Sequence, residues 1–470
     1  MVDLTFYGGI NEIGGNKILL EDRKIRVLLD FGFSFSKNKK FHSEFLQPRL
    51  CNGIGDFLDL GIIPDIDGIY RNDLLKNEGR KTSTYPQING VVLTHAHADH
   101  AWHISLLHEG MPIHCGVTTK VILKSSQETG LMPYYGDFYW FRENFINRSR
   151  KPERVRNFKI FKTGEKIRIG GLEIEPVHVD HSIPGAYGLI IHTSSGDIVY
   201  TGDLRIHGPM EHFTEAFIER ASKTIPEVLI CEGTRIHEQE RGLSEKEVFY
   251  RIKEYITNTK NLVVCNFSIR DIDRFKTFYL AAKESGRKFT LTLKQAYLLK
   301  TLRENDRSLA LPDIEDDNIA IYLHREKWGR FEDDDYRGWE REFLRCKNAI
   351  NFEDIHRRPK DFIFYCDYYS MNELIDVKPE EGSSYIYSLS EPHDEEQEID
   401  FKRMKNWLGH FNLKYLEAHS SGHACQKDIK ELIEKINPKK VIPVHTEHQE
   451  LFENLIKNLI YPKLGKRIEI

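Results

Sequence analysis

Apolar and polar residues alternate through residues 4–30 between glycine-rich turns, and this period of two predicts antiparallel strands with one buried face. Residues 45–86 are loop-rich and are expected to cap a site at the strand tips. The pattern then changes to a continuous apolar run, Val91-Val92-Leu93, which predicts a buried strand. Trp102 to Glu109 reads as a helix. Past Glu232 the periodicity becomes that of alternating helices and strands. Ser244-Glu245-Lys246-Glu247 has the form of a capping box and predicts a helix to about Asn258. An apolar strand over Leu262-Val263-Val264-Cys265 follows, then a helix near Asp273 to Ser285. The alternation persists to a strand over Tyr385-Ile386-Tyr387-Ser388. The chain is therefore read as an α/β protein in which residues from about 241 to 389 form a distinct stretch of alternating helices and strands.

The chemistry concentrates at the end of the 91–93 run. Thr94-His95-Ala96-His97-Ala98-Asp99-His100 places four metal-competent side chains within six residues of a strand tip. Imidazole and carboxylate donors together suit Zn²⁺, Mn²⁺ or Fe²⁺. His95 and His97, two apart in an extended segment, project to one side and can share an ion. Asp99 and His100 turn toward a second one. His103 and His108, on the predicted helix, read as surface or packing histidines, and His178 as a residue behind the site or in the core.

The spacing His-x-His-x-Asp-His resembles the hallmark of the metallo-β-lactamase fold, and further segments follow that family's order. Val177 to Pro184 resembles its third motif, which implies His181 as a third ligand of the first ion. Val199-Tyr200-Thr201-Gly202-Asp203 resembles the fourth and implies that Asp203 bridges two ions. Val27 to Gly32 resembles the first, whose Asp30 would order the ligand loops without binding metal. Leu229 to Arg235, Glu417 to Ala424 and Val441 to Glu447 are similar to motifs A, B and C of β-CASP nucleases. The opening Phe6 to Asn16 resembles that of ribonuclease J proteins. The implied fold is a metallo-β-lactamase αββα sandwich, 1–240 with 390–470, carrying a β-CASP domain at 241–389.

From that resemblance follow two Zn²⁺ ions, with Mn²⁺ as the alternative. His95, His97 and His181 hold one, Asp99, His100 and His445 the other, and Asp203 both. The implied reaction is hydrolysis of single-stranded RNA, chiefly 5′→3′ and exonucleolytic with endonuclease activity, by a hydroxide bridging the ions. His423 is the implied general acid, Glu232 its orienting carboxylate, and His419, Ser420, Ser421 and Gly422 the phosphate grip. Two segments depart from the family: Ser388-Leu389-Ser390-Glu391-Pro392 replaces a phosphate loop, and Cys265 to Arg270 replaces a Ser-Asn-x-His-Arg segment. Both bear on how RNA is held. The other readings are a hydrolase of DNA or a small ester, or a non-catalytic RNA-binding subunit.

Composition sets limits on this picture. Of 470 residues, 40% are hydrophobic, enough for a sizeable core, and no run approaches the ~18 apolar residues of a membrane span. The first residues lack the pattern of a secretory signal, and the seven cysteines are dispersed without a Cys-x-x-Cys pair. A reducing, cytoplasmic setting without membrane attachment is expected. The C-terminal oligomerisation domain of many bacterial members is expected to be missing, with a homodimer as the assembly left open. A net charge of −5 does not advertise a nucleic-acid binder. Locally, however, residues 147–168 hold nine basic side chains against two acidic ones, a stretch suited to steering a phosphodiester backbone.

Overall fold

The computed structural model describes residues 2–43, 45–130, 134–142, 154–392 and 394–470. The chain forms two compact units. The first comprises Met1–Ile206, Met210–Arg241 and Gly422–Ile470, and the second His207–Pro209 and Gly242–Ser421.

The first unit is built on two sheets. One has seven strands in the spatial order Arg467–Glu469, Val2–Gly8, Lys17–Asp22, Ile25–Phe31, Gly90–Val92, Ile113–Gly116 and Phe158–Phe161. The other has six, ordered Lys440–Val444, Val228–Glu232, Gly196–Tyr200, Ala186–Thr193, Leu172–Val179 and Ile167–Ile169. The alternation of residues 4–30 becomes three antiparallel strands whose inward side chains face the second sheet. Leu4, Phe6, Ile18, Leu20, Val27 and Leu29 from one sheet meet Ile174, Leu189, Ile191, Ile198, Ile230 and Ile442 from the other, all buried. Each such side chain contributes roughly 1.5–3 kcal/mol when fully removed from water. The outer face of the second sheet is covered by helices Glu211–Ser222 and Gln426–Ile436. In the latter, Ile429, Leu432, Ile433 and Ile436 repeat at helical spacing and are all buried. The helix stops at Asn437, whose φ of 52° is left-handed. Helix Val117–Thr129 packs on the edge of the first sheet, completing the αββα sandwich.

Within each sheet some neighbouring strands run parallel. Ile25–Phe31, Gly90–Val92 and Ile113–Gly116 do so in one, and Gly196–Tyr200, Val228–Glu232 and Lys440–Val444 in the other. Their C-terminal ends deliver Asp30, the 94–100 loop, Asp203, Glu232 and His445.

The second unit is a seven-stranded, all-parallel sheet with helical crossovers. Its first helix, Glu245–Asn258, opens with both hydrogen bonds of the capping box between Ser244 and Glu247. Strand Val263–Asn266 and helix Ile272–Glu284 follow within a residue or two of the sequence expectation. The unit extends to Ser421 rather than to 389. Helix Glu395–His410 and strand Lys414–Glu417 complete its sheet and core, with Tyr385 paired to Tyr415 and with Met404, Leu408 and Leu413 buried beside Tyr385.

Two other expectations change. The helix at 102–109 is a short α-turn at Ala98–Ala101 continued by a 3₁₀ segment, Trp102–Leu106. His103 is a packing residue, buried among the rings of Phe31, Phe33 and Phe57. Part of the basic 147–168 stretch lies outside the described residues. Of the rest, Arg156 is buried and donates to the carbonyls of Ser105, Leu107 and Asp137, while Lys166 and Arg168 pair with Glu173. In the loop 331–336, Asp335 and Tyr336 are buried, with Asp335 accepting from the backbone of Trp328 and Arg330. His178 stacks on Tyr187 and Phe213, as a packing residue.

Candidate metal centre

Strand Gly90–Val92 runs out at Leu93, and the chain crosses the sheet edge as an extended loop to His97, which caps the short helix Ala98–Ala101. That geometry places Nε2 of His95 3.1 Å from Nδ1 of His97, and Nε2 of His181 3.0 Å from the same atom. Asp203 Oδ2 lies 3.6 Å from His95 Nε2 and 3.7 Å from His181 Nε2. On its other side the same oxygen is 3.1 Å from His100 Nε2 and 3.5 Å from His445 Nε2. Asp99 Oδ2 completes this second group, 3.0 Å from His445 Nε2. All seven residues proposed from sequence as donors thus meet in two groups that share Asp203.

Four features fit a cation in each group. In a tetrahedral zinc shell, donors at ~2.0–2.1 Å from the ion stand ~3.3 Å from each other, close to the separations found. Asp203 Oδ1 and His100 Nε2 are buried without a hydrogen-bond partner. Asp30, Asp99 and Asp203 converge there, and among the described residues no lysine or arginine forms an ion pair with any of them. Finally, burial drives His95 and His181 well below the usual imidazole range, leaving the neutral rings that a metal requires. Burial also opposes ionisation of Asp99 and Asp203, but the neighbouring His445 and His100 outweigh it and hold both carboxyls below their usual range.

The residues behind the donors decide which ring nitrogen faces inward. Asp30, at a left-handed φ of 56°, accepts from the backbone N–H of Thr94 at 2.8 Å and from the Tyr200 hydroxyl at 2.8 Å. It also accepts from Thr94 Oγ1 at 2.9 Å and pairs with His100 Nδ1 at 2.8 Å. The last contact leaves Nε2 of His100 for the cluster. His181 Nδ1 lies 2.6 Å from the carbonyl of Gly422, and His445 Nδ1 lies 2.7 Å from Thr234 Oγ1. Gly422 has no room for a side chain: a Cβ there would stand 2.6 Å from Ser182 Oγ. Gly32 is tighter still, its Cα pressed on the carbonyl of Asp99. Thr234, Tyr200 and the Gly422 carbonyl escaped the sequence reading, because their roles depend on contacts across the fold.

Glu232 ends strand Val228–Glu232 almost fully buried, and its carboxylate accepts from the backbone of Leu204 at 3.0 Å and Thr234 at 3.2 Å. Both of its oxygens lie 3.1 Å from His423 Nδ1. Burial lowers the His423 pKa, but Glu232, with Asp203 and Asp99 behind it, raises it to about 9. Cations in the cluster would act in the opposite direction. Of the expected phosphate contacts, Gly422 lies in the first unit. His419, Ser420 and Ser421 belong to the second, where Ser420 is buried with an unpartnered hydroxyl.

The beta-lactamase superfamily domain matches residues 64–247, and the Zn-dependent metallo-hydrolase RNA specificity domain matches residues 412–466. The chain is a metallo-β-lactamase-fold protein that resembles ribonuclease J. It is 24% identical over 461 residues to ribonuclease J of Helicobacter pylori strain J99, covering 96% of this chain and 56% of that protein. The chain therefore spans a little over half the length of that relative. It is 23% identical to ribonuclease J of Thermus thermophilus, covering 98% of this chain and 71% of that one. For the Pyrococcus abyssi protein the identity is 23%, with 96% and 91% covered. A crystal structure of a protein of unknown function from Enterococcus faecalis V583 superposes with a TM-score of 0.75 at 23% identity, over 99% of each chain. Among the described residues no helix is long and apolar enough to cross a membrane.

Proposed function

We propose that this metallo-β-lactamase-fold chain is a dinuclear, metal-dependent ribonuclease acting on single-stranded RNA. One observation carries the reading: seven His and Asp donors, five of them buried and His97 and Asp99 partly so, in two groups sharing Asp203, with the paired His423 and Glu232 at their rim. Similarity to ribonuclease J proteins and the match to an RNA specificity domain supply the substrate class. His95, His97, His181 and Asp203 would hold one ion, and Asp99, His100, His445 and Asp203 the other. Bound divalent ions supply Lewis acidity, which activates water at neutral pH and offsets charge on the phosphodiester.

The protein's own groups do the rest. Glu232 engages His423 Nδ1, and Nε2 is the ring atom proposed to give a proton to the departing oxygen. Its ring lies 5.0 Å from that of His181 and 5.5 Å from that of His445, beside both donor groups. Glu232 fixes the ring and favours its protonated form. Asp203 holds the two groups together. The exonucleolytic, 5′→3′ direction with accompanying endonuclease activity is the mode proposed.

Incubation of 5′-labelled single-stranded RNA with zinc- or manganese-loaded protein tests this, with 5′-monophosphate and 5′-triphosphate ends compared. Stepwise shortening from the 5′ end with about two ions per chain is the expected result. Intact RNA alongside turnover of DNA, a lactone or a thioester would overturn the substrate assignment.

A further inference from the structure

We propose that residues 35–43 and 45–50 form a second contact surface for single-stranded RNA, next to the candidate metal centre and separate from it. The starting observation is an uneven surface. Eighteen large hydrophobic side chains are strongly exposed among the described residues, and five of them, Phe35, Phe41, Phe45, Leu46 and Leu50, fall in these fifteen positions. Phe45 is 92% exposed and Leu46 62%. Exposed apolar side chains gathered in this way mark a surface that meets a partner.

The charge of the same segment selects the partner. In sequence, 35–50 contains Lys37, Lys39, Lys40 and Arg49 against a single acidic residue, in a chain whose net charge is −5. Lys37 and Arg49 are tied down, by the Tyr7 carbonyl and by Asp56, and they brace the segment on the first unit. Lys39 and Lys40 are exposed at the end of helix Phe35–Lys39, immediately before Phe41. Aromatic faces for bases interleaved with ammonium groups for phosphates are what a single strand requires, without regard to sequence. A protein partner or a second copy would account for the rings but leave the basic excess unused.

Position supports the same partner. The segment is rooted on the loop that carries the cluster: Phe33 N–H donates to the Ala98 carbonyl at 2.8 Å, and Gly32 abuts the Asp99 carbonyl. Ser34 then caps the helix by accepting from the Lys37 N–H. Eight residues separate Phe33 from Phe41, a reach of at most ~28 Å. A short oligonucleotide engaged at the cluster could touch both.

This inference rests on the ribonuclease reading, so the test separates the two. The metal-loaded full chain is compared with a Phe41→Ala/Phe45→Ala variant and a Lys39→Gln/Lys40→Gln variant. Binding of a labelled single-stranded RNA 20-mer is followed by anisotropy across a salt series. Hydrolysis of bis(p-nitrophenyl) phosphate, too small to reach the segment, and molar mass in solution are read on the same samples. The aromatic variant should lose at least ~5-fold in RNA affinity, and the lysine variant should lower the slope of log K against log salt by ~1.4. Small-diester turnover should stay unchanged in both. RNA affinity and salt slope equal to the parent, with small-diester turnover intact, would overturn the inference and leave the ribonuclease reading standing. A parent dimer that becomes monomeric in the aromatic variant, with RNA affinity retained, would instead assign the surface to self-association. A parent that neither binds nor cleaves RNA removes the ribonuclease reading, and this inference with it.

Discussion

Asp30→Asn isolates a residue that touches no cation yet should control one. Asp30 is fully buried and receives four hydrogen-bonding groups: Thr94 N–H, Thr94 Oγ1, the Tyr200 hydroxyl and His100 Nδ1. Asparagine preserves the shape and tolerates the left-handed φ of 56°, so the backbone is not the variable. What changes is that one acceptor oxygen becomes a donor. If the amide nitrogen faces Thr94 N–H, a buried donor is orphaned at a cost of about 1–3 kcal/mol. If it faces His100 instead, Nδ1 must become the acceptor and the ring proton moves to Nε2. That proton then occupies the atom pointing at Asp203, 3.1 Å away. The second outcome strikes the group made by Asp99, His100, Asp203 and His445 while sparing that of His95, His97 and His181. Loss of such an outer partner typically weakens metal binding by ~10–100-fold. Zinc titration against a competing chelator should therefore show one site near parental affinity and one weakened by that factor. Denaturant unfolding of the metal-free protein should show a loss of about 1–3 kcal/mol. Two parental sites in a protein of unchanged stability would refute the argument that Asp30 sets the His100 tautomer.

Further outcomes are expected from other positions. His423→Ala should reduce single-turnover cleavage by ~10²–10⁴-fold with metal content unchanged, whereas Asp203→Ala should lose both metal and activity; elemental analysis beside the rate measurement separates them. Near-parental rates in His423→Ala would reassign that ring to packing. Lys17 is fully buried, and burial with nearby Lys37 lowers its pKa to about 7 despite Glu12. The unfolded chain therefore binds this proton up to about pH 10.5 while the folded chain releases it near 7, so stability from this group rises with pH across that window and is lost toward neutrality. Lys17→Met should accordingly flatten the pH dependence and raise the unfolding midpoint at pH 6–7, by on the order of 1 kcal/mol, as read by denaturant titration at several pH values. Arg274→Met should destabilise the second unit by about 3–5 kcal/mol, because it strands the buried Glu245 that Arg274 engages at 2.8 and 3.0 Å; unfolding followed by local protease sensitivity would show it, and parental resistance would contradict it.

The parts of this protein legible in its sequence are those set by near neighbours along the chain. The donors of 94–100 are five residues apart at most, and a strand tip that must turn there can only gather them. The Ser244 capping box and the buried stripe of Gln426–Ile436 are equally local, and both appear where periodicity and hydrogen-bonding chemistry put them. Asp203 and His445 were reachable because the short segments that carry them, each following an apolar strand, resemble motifs of a known family. What only the tertiary structure decided involves partners distant in sequence. His181 is oriented by a carbonyl 241 residues away, and His423 by a carboxylate 191 residues away. Burial, too, is a property of the assembled fold. Nothing local distinguishes Arg156, folded inward onto three carbonyls, from the exposed basic residues around it, or Asp335 from the exposed acids before it. The end of the insert at Ser421 depends on strand Lys414–Glu417 choosing Ser384–Tyr387 as its partner. Spacing reports which groups are available, whereas ring tautomer, burial and strand partnership are settled only when distant segments compete for the same hydrogen bonds and the same core.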